Sequence, residues 1–204
     1  MRPPLQPVAG GRGVHRRTRG LRLELPAWTG EAVRWNHSYV RDRDKMALAV
    51  RLSELNVRRG TGGPFGAAVF EEPGGHLVSV GVNAVLGSRC SLAHAEVMAL
   101  GLAQRRLRRP RLNGNKDGRS YVLASSAQPC AMCFGAVLWA GLDGILFAAF
   151  KSDVERLAGF DEGPYPERWK HELRRRGIRV ESGILRRQAC RVLRLYKERN
   201  GPLY

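Results

Sequence analysis

Three consecutive runs decide the fold: Tyr121-Val-Leu-Ala-Ser125, Pro129-Cys-Ala-Met-Cys133 and Ile145-Leu-Phe-Ala-Ala-Phe150. The first and last are short and β-rich, as buried strands are. Proline with its preset φ can open a helix, so Pro129 predicts one running to about Ala140. Ala131 to Phe150 carries Asp143 as its only charge and has the length of a membrane span. Gly141-Leu-Asp-Gly144 divides it into a helix and a strand, so no membrane is implied.

Working outward, Met46, Leu48, Leu52 and Leu55 fall at helical spacings within Asp42–Arg59, and Gly60-Thr-Gly-Gly-Pro64 ends that run. Phe65–Phe70 and Leu77–Val82 predict two strands, with Glu71-Glu-Pro-Gly-Gly75 as hairpin punctuation. Ala93–Arg109 predicts a helix stopped by Pro110, and Leu112–Arg119 a polar loop. Beyond Phe150, the sequence predicts a helical turn at Asp153–Leu157 and a loop at Gly159–Pro166. A helix at Glu167–Arg176, a fifth strand at Ile178–Ile184 and a closing helix at Arg187–Arg199 complete the chain. Helix-linked strands after an opening hairpin call for a three-layer α/β/α arrangement with a mixed five-stranded sheet. Ligand sites on such sheets lie beyond the carboxyl ends of strands.

With 204 residues, the expectation is one domain over residues 21–204, preceded by a basic disordered arm at 1–20. That arm lacks the apolar core of a secretory signal, although its arginines resemble a transit peptide, and a cytoplasmic location is expected. Lys+Arg number 35 against 18 Asp+Glu, a net charge of +17. Such a surplus keeps nucleic acid among the candidate partners. The even spread of arginine reads better as a solvated surface in which it has replaced lysine.

Cys130 and Cys133 stand too close for a comfortable bridge, and C-x-x-C in a chain without a signal points to metal or redox chemistry. Positions i and i+3 share a helix face, so both sulfurs can reach one ion, and a helix start favours thiolates. His94, at the start of the preceding helix, supplies a third ligand. One imidazole and two thiolates suit a tetrahedral zinc with its fourth position left for water, as in catalytic sites. Glu96 is the expected proton shuttle, although helical residues two apart do not normally face the same way.

The pairing of His94-x-Glu96 with Pro129-Cys130-x-x-Cys133 is the pattern of zinc deaminases. From about Gly60 to Tyr204 the sequence resembles the cytidine-deaminase-like superfamily, and within it the guanine deaminases. The carriers are Gly62-Gly-Pro-Phe-Gly66, Asn83, Ala93-His-Ala-Glu96, Gln128-Pro-Cys-Ala-Met-Cys133, Trp139, Gly159-Phe-Asp-Glu-Gly-Pro164 and Tyr204. The resemblance implies that Asn83 bonds the base edge and that Phe65 and Trp139 line the ring's pocket. Glu162 is implied as a second proton-moving carboxylate, with Asp161 the alternative, and Tyr204 as the residue that closes the pocket. It also implies a homodimer, with exchanged C-termini in some members. Gln128 departs from the Glu usual before Pro-Cys, which keeps hydrogen bonding but removes charge.

The expected reaction is hydrolysis of guanine to xanthine and ammonia. A tRNA adenosine deaminase and a cytosine- or triazine-type deaminase are the alternatives, with a non-enzymatic RNA-binding scaffold from a different class.

Overall fold

The computed structural model describes residues 20–114 and 118–204. The expected arm therefore lies, but for Gly20, outside the described residues, as do positions 115–117 of the polar loop. Helices α1 (Trp28–Glu31) and α2 (Asp42–Arg58) lead into strands β1 (Gly66–Glu72) and β2 (His76–Val82). Helices α3 (Val85–Ser88) and α4 (Ala95–Leu107) precede β3 (Ser120–Ala127), α5 (Ala131–Ala140) and β4 (Gly144–Ala149). Helices α6 (Lys151–Ala158) and α7 (Trp169–Arg175), strand β5 (Arg179–Ser182) and helix α8 (Arg186–Glu198) follow.

The strands form one mixed sheet in the order β2-β1-β3-β4-β5. β1 pairs antiparallel with β2 and β3, whereas β3, β4 and β5 run parallel. Both faces are buried, so successive strand residues enter opposite cores. Ala68, Phe70, Val122 and Leu146 pack with Met46, Leu52 and Leu193 from α2 and α8. Ala67, Val69, Leu123 and Phe147 pack with Ala99, Ala103 and Val137 from α4 and α5. This is the three-layer arrangement the sequence predicts, and the Ala131–Phe150 stretch is divided as expected, Gly141 capping α5 at φ 66°. Among the described residues no helix is long and apolar enough to cross a membrane.

Three local differences have physical causes. The helical turn expected at Asp153–Leu157 is the longer α6, because the Asp153 carboxylate reaches back to accept the Phe150 N–H at 3.0 Å. β5 is shorter than expected because Gly183 and Leu185 take positive φ and turn the chain into α8. The short helices α1 and α3 carry too few turns to show a period.

Two features fix the site's end of the sheet. A Cβ on Gly81 would collide with the Ala95 backbone, so only glycine lets the start of α4 lie this close to β2. Asp153, 2% exposed, accepts two bonds from Arg186, at 2.7 and 2.9 Å, joining α6 to α8. At the opposite end, buried Lys45 pairs with Asp42 and Glu72, and Arg179 bonds the same two acids.

The Arg186 hydrogen bonds hold the Asp153 carboxyl down to about 2, against the opposing effect of burial. A depressed carboxylate contributes stability above its unfolded pKa and loses it as pH falls through the folded one. Chemical denaturation at pH 7 should therefore show Asp153→Asn to be less stable than wild type by about 2 kcal/mol. That gap should narrow below pH 4 and close towards pH 2; an unchanged gap would remove Asp153 from the account of acid stability.

Candidate active site

His94 and Cys130 are the N-cap residues of α4 and α5, each in extended backbone just before its helix. Cys133 sits in the first turn of α5 and Glu96 in the first turn of α4. Because His94 is not itself helical, the two-residue spacing does not turn Glu96 away from it. The short step that looked awkward as helix geometry brings both side chains to one cavity.

The His94 Nδ1 atom lies 3.5 Å from Cys130 Sγ and 3.6 Å from Cys133 Sγ. The three donor atoms lie within 4.8 Å of one another. Donors around a tetrahedral zinc, at bond lengths of about 2.0 to 2.3 Å, stand about 3.5 Å apart. The donor set and its spacing fit zinc. A hydrogen bond from Cys133 holds the Cys130 thiol down to about 4, with further help from His94, while that bond and burial push Cys133 up. None of the four cysteines is bridged.

Glu96 is 5% exposed and accepts a hydrogen bond from Ser125 Oγ at 3.1 Å and one from Cys133 Sγ at 3.4 Å. Burial, reinforced by the Cys130 charge, raises its carboxyl above the usual range. Glu162, 7% exposed, is pushed up to about 8, first by burial and then by Cys130 and Glu96.

These residues share a cavity of about 250 Å³ with Phe65, Asn83, Gln128, Met132, Phe160, Asp161 and Tyr204. Asn83 is fully buried; its Oδ1 accepts the Val85 N–H at 3.3 Å, while Nδ2 has no partner among the described residues. Asn56 fixes the surrounding backbone by donating to the carbonyls of Gly63 and Asn83, both at 2.8 Å. Phe160 meets Phe65 and Tyr204 with ring centroids 5.2 and 5.0 Å away. The Tyr204 hydroxyl lies so close to Gly63 that a Cβ there would strike it. Burial raises the pKa of that hydroxyl.

Trp139 does not join them. It is 76% exposed, in a surface groove beside Arg111, Asn113 and Arg176. The expectation that it lines the ring's pocket in its own chain is corrected by helix geometry: Cys133, Val137 and Ala140 form the inward face of α5, and Trp139 projects from the opposite one. Asp161 lines the cavity, but its Oδ1 accepts the Gly163 N–H at 2.8 Å and so shapes the turn. Gln128 accepts the Lys151 N–H at 3.3 Å through its side-chain oxygen, so a neutral group stands beside the sulfurs. Sequence reasoning missed Ser125, Phe160 and Asn56. Phe160 lay inside the quoted Gly159–Pro164 segment, whereas nothing local marks a strand serine or a helix asparagine.

The model of the cytidine and deoxycytidylate deaminase zinc-binding region matches residues 40–149. The chain is 37% identical over 114 residues to the guanine deaminase of Bacillus subtilis (strain 168), covering 56% of this chain and 67% of that protein. It is similar to the solved structure of a guanine deaminase from Nitrosomonas europaea, with TM-score 0.81 and 42% identity over 88% of this chain and 97% of that one. A solved structure in complex with 8-azaguanine has TM-score 0.82 and 42% identity, covering 88% and 98% of the two chains. Helix starts that present His94-x-Glu96 and Cys130-x-x-Cys133 to one buried point agree with that model, and the chain belongs to the zinc-dependent cytidine and deoxycytidylate deaminase family.

Proposed function

We propose that this chain hydrolyses guanine to xanthine and ammonia, with residues 21–204 as one catalytic unit. The observation that carries the reading is the unpartnered Asn83 Nδ2, buried in the same cavity as Glu96 and the three zinc donors. A buried donor without a partner costs free energy that a ligand acceptor recovers, and guanine offers a ring carbonyl where adenine has an amine. The cavity, at about 250 Å³ and covered by Tyr204, suits a free base better than a base carried on an RNA loop. That favours guanine over the tRNA alternative.

His94, Cys130 and Cys133 would hold the zinc, which would supply the Lewis acidity that makes water nucleophilic at neutral pH. Glu96 takes a proton from the attacking water and passes it to the base. Ser125 holds one Glu96 oxygen, which leaves the carboxylate aimed at the cluster. Glu162, protonated near neutrality because it is buried, gives a proton to the departing amine so that ammonia leaves, and the hydroxyl proton released as the new ring carbonyl forms returns to the Glu162 carboxylate. Phe65 and Phe160 wall the ring, Asn83 donates to its carbonyl and Tyr204 excludes water.

The cellular setting proposed is cytoplasmic purine breakdown, in keeping with four unbridged cysteines. The proposed assembly is a homodimer through the outer face of α5. Met132, Phe134 and Leu138 are half-buried there and Trp139 is exposed, an apolar surface with Arg111 and Arg176 at its border. In the single chain the tail seats Tyr204 in its own cavity.

Zinc-loaded protein should release ammonia from guanine and not from adenine, cytosine or a triazine, and should form no inosine in tRNA. Inosine formation with no guanine turnover would transfer the reading to the tRNA class. Glu96→Ala should keep zinc, measured by elemental analysis, while kcat falls by about 10³-fold. Asn83→Ala should raise KM for guanine by about 10-fold, the value of one buried hydrogen bond. Ser125→Ala should lower kcat by about 10-fold at unchanged zinc content, and wild-type kcat there would free Glu96 from its proposed holder.

A further inference from the structure

We infer that Lys151 is a positioning residue that holds the turn carrying Glu162 against the metal-bearing helix. The inference rests on the role proposed above for Glu162. Lys151 is the first residue of α6, directly after β4, and its side chain crosses to the Gly159–Pro164 segment rather than running out to solvent. Its Nζ donates to the Gly163 carbonyl at 2.7 Å, one residue past Glu162. Its backbone N–H donates to Gln128 Oε1 at 3.3 Å, and Gln128 lies two residues before Cys130. The far side of the turn is held by the Ala131 N–H, which donates to the Glu162 carbonyl at 3.1 Å.

Glu162 is thus gripped between two backbone anchors, one from α5 and one through Lys151, while Gly163 takes φ 72° at the corner. The Glu162 side chain lines the cavity, and the Lys151 ammonium is near enough to its carboxyl to offset a little of the upward shift that burial causes. Glu155 pairs with the Lys151 ammonium at 3.5 Å on the outer side and makes no contact with the turn carbonyl. This arrangement also gives Gln128 a use. An amide oxygen accepts the Lys151 N–H without placing another negative charge beside Cys130, whose charge already raises the Glu96 and Glu162 carboxyls. A charge-assisted bond to a carbonyl is the stronger kind, so the ammonium is the holder whose loss should be felt.

The test compares Lys151→Met, Lys151→Arg and Glu155→Gln, each alone and the first also with Glu162→Gln. Lys151→Met should lower kcat on guanine by about 10-fold while KM moves less than about threefold, because the lost bond orients a proton donor rather than binding the base. Lys151→Arg should recover most of that loss, and Glu155→Gln should stay near wild type. In the Glu162→Gln background, Lys151→Met should cost little more, since the two act through one group. Thermal midpoints for all variants identify any loss that is simply unfolding. A readout without substrate is amide exchange: the Ala131 and Gly163 N–H groups should exchange faster in Lys151→Met than in wild type or Glu155→Gln. Unchanged exchange, or losses that add fully in the double variant, overturn the inference. Wild type that fails to deaminate guanine retires the substrate reading, and the exchange comparison then still decides between a held and a free turn.

Discussion

Crowding of acidic groups in one buried pocket governs this structure. The Cys130 thiolate lies near enough to raise the protonation of the Glu96 and Glu162 carboxyls, and Cys133 hydrogen-bonds both Cys130 and Glu96. Burial of so many groups that prefer negative charge is costly unless a cation offsets it. The His94, Cys130 and Cys133 atoms are spaced to hold that cation. Two helix N-termini, aimed at the same point, add their positive ends to the balance.

The rest of the fold keeps those helix starts in place. Gly81 lets α4 settle on β2, Ser125 extends from β3 to Glu96, and the Gly141 cap ends α5 where β4 must begin. The buried Lys45 cluster joins α2 to the strands at the end of the sheet away from the chemistry, and the Asp153–Arg186 pair joins α6 to α8 at the site's end. Rigid support of this kind leaves the reacting side chains few alternatives, which is what an oriented proton shuttle needs.

Local sequence was enough for the parts that depend on local physics. Strand and helix periods, the Gly-Leu-Asp-Gly break and the Glu71–Gly75 hairpin follow from short-range sterics, and each has its counterpart in the sheet. The metal ligands were legible because cysteines three apart at a helix start have one geometry available. Long-range relations were not legible. Ser125 and Asn56 act through tertiary hydrogen bonds across 29 and 27 positions of chain, to Glu96 and Asn83, which no local pattern encodes. Trp139 lies outside the cavity of its own chain for the same reason, since a helix position fixes a face but not what that face meets. Glu162 and Asp161 are neighbours in sequence and separate only when the turn folds, one carboxyl buried and the other spent on the Gly163 N–H.

Diffraction from crystals grown with zinc, collected on both sides of the zinc absorption edge, would locate the metal directly. One strong anomalous peak per chain is expected, within bonding distance of His94 Nδ1, Cys130 Sγ and Cys133 Sγ, with the Glu96 carboxylate beside the metal and not bound to it. A peak elsewhere, none at all, or Glu96 as a metal ligand would contradict this metal site.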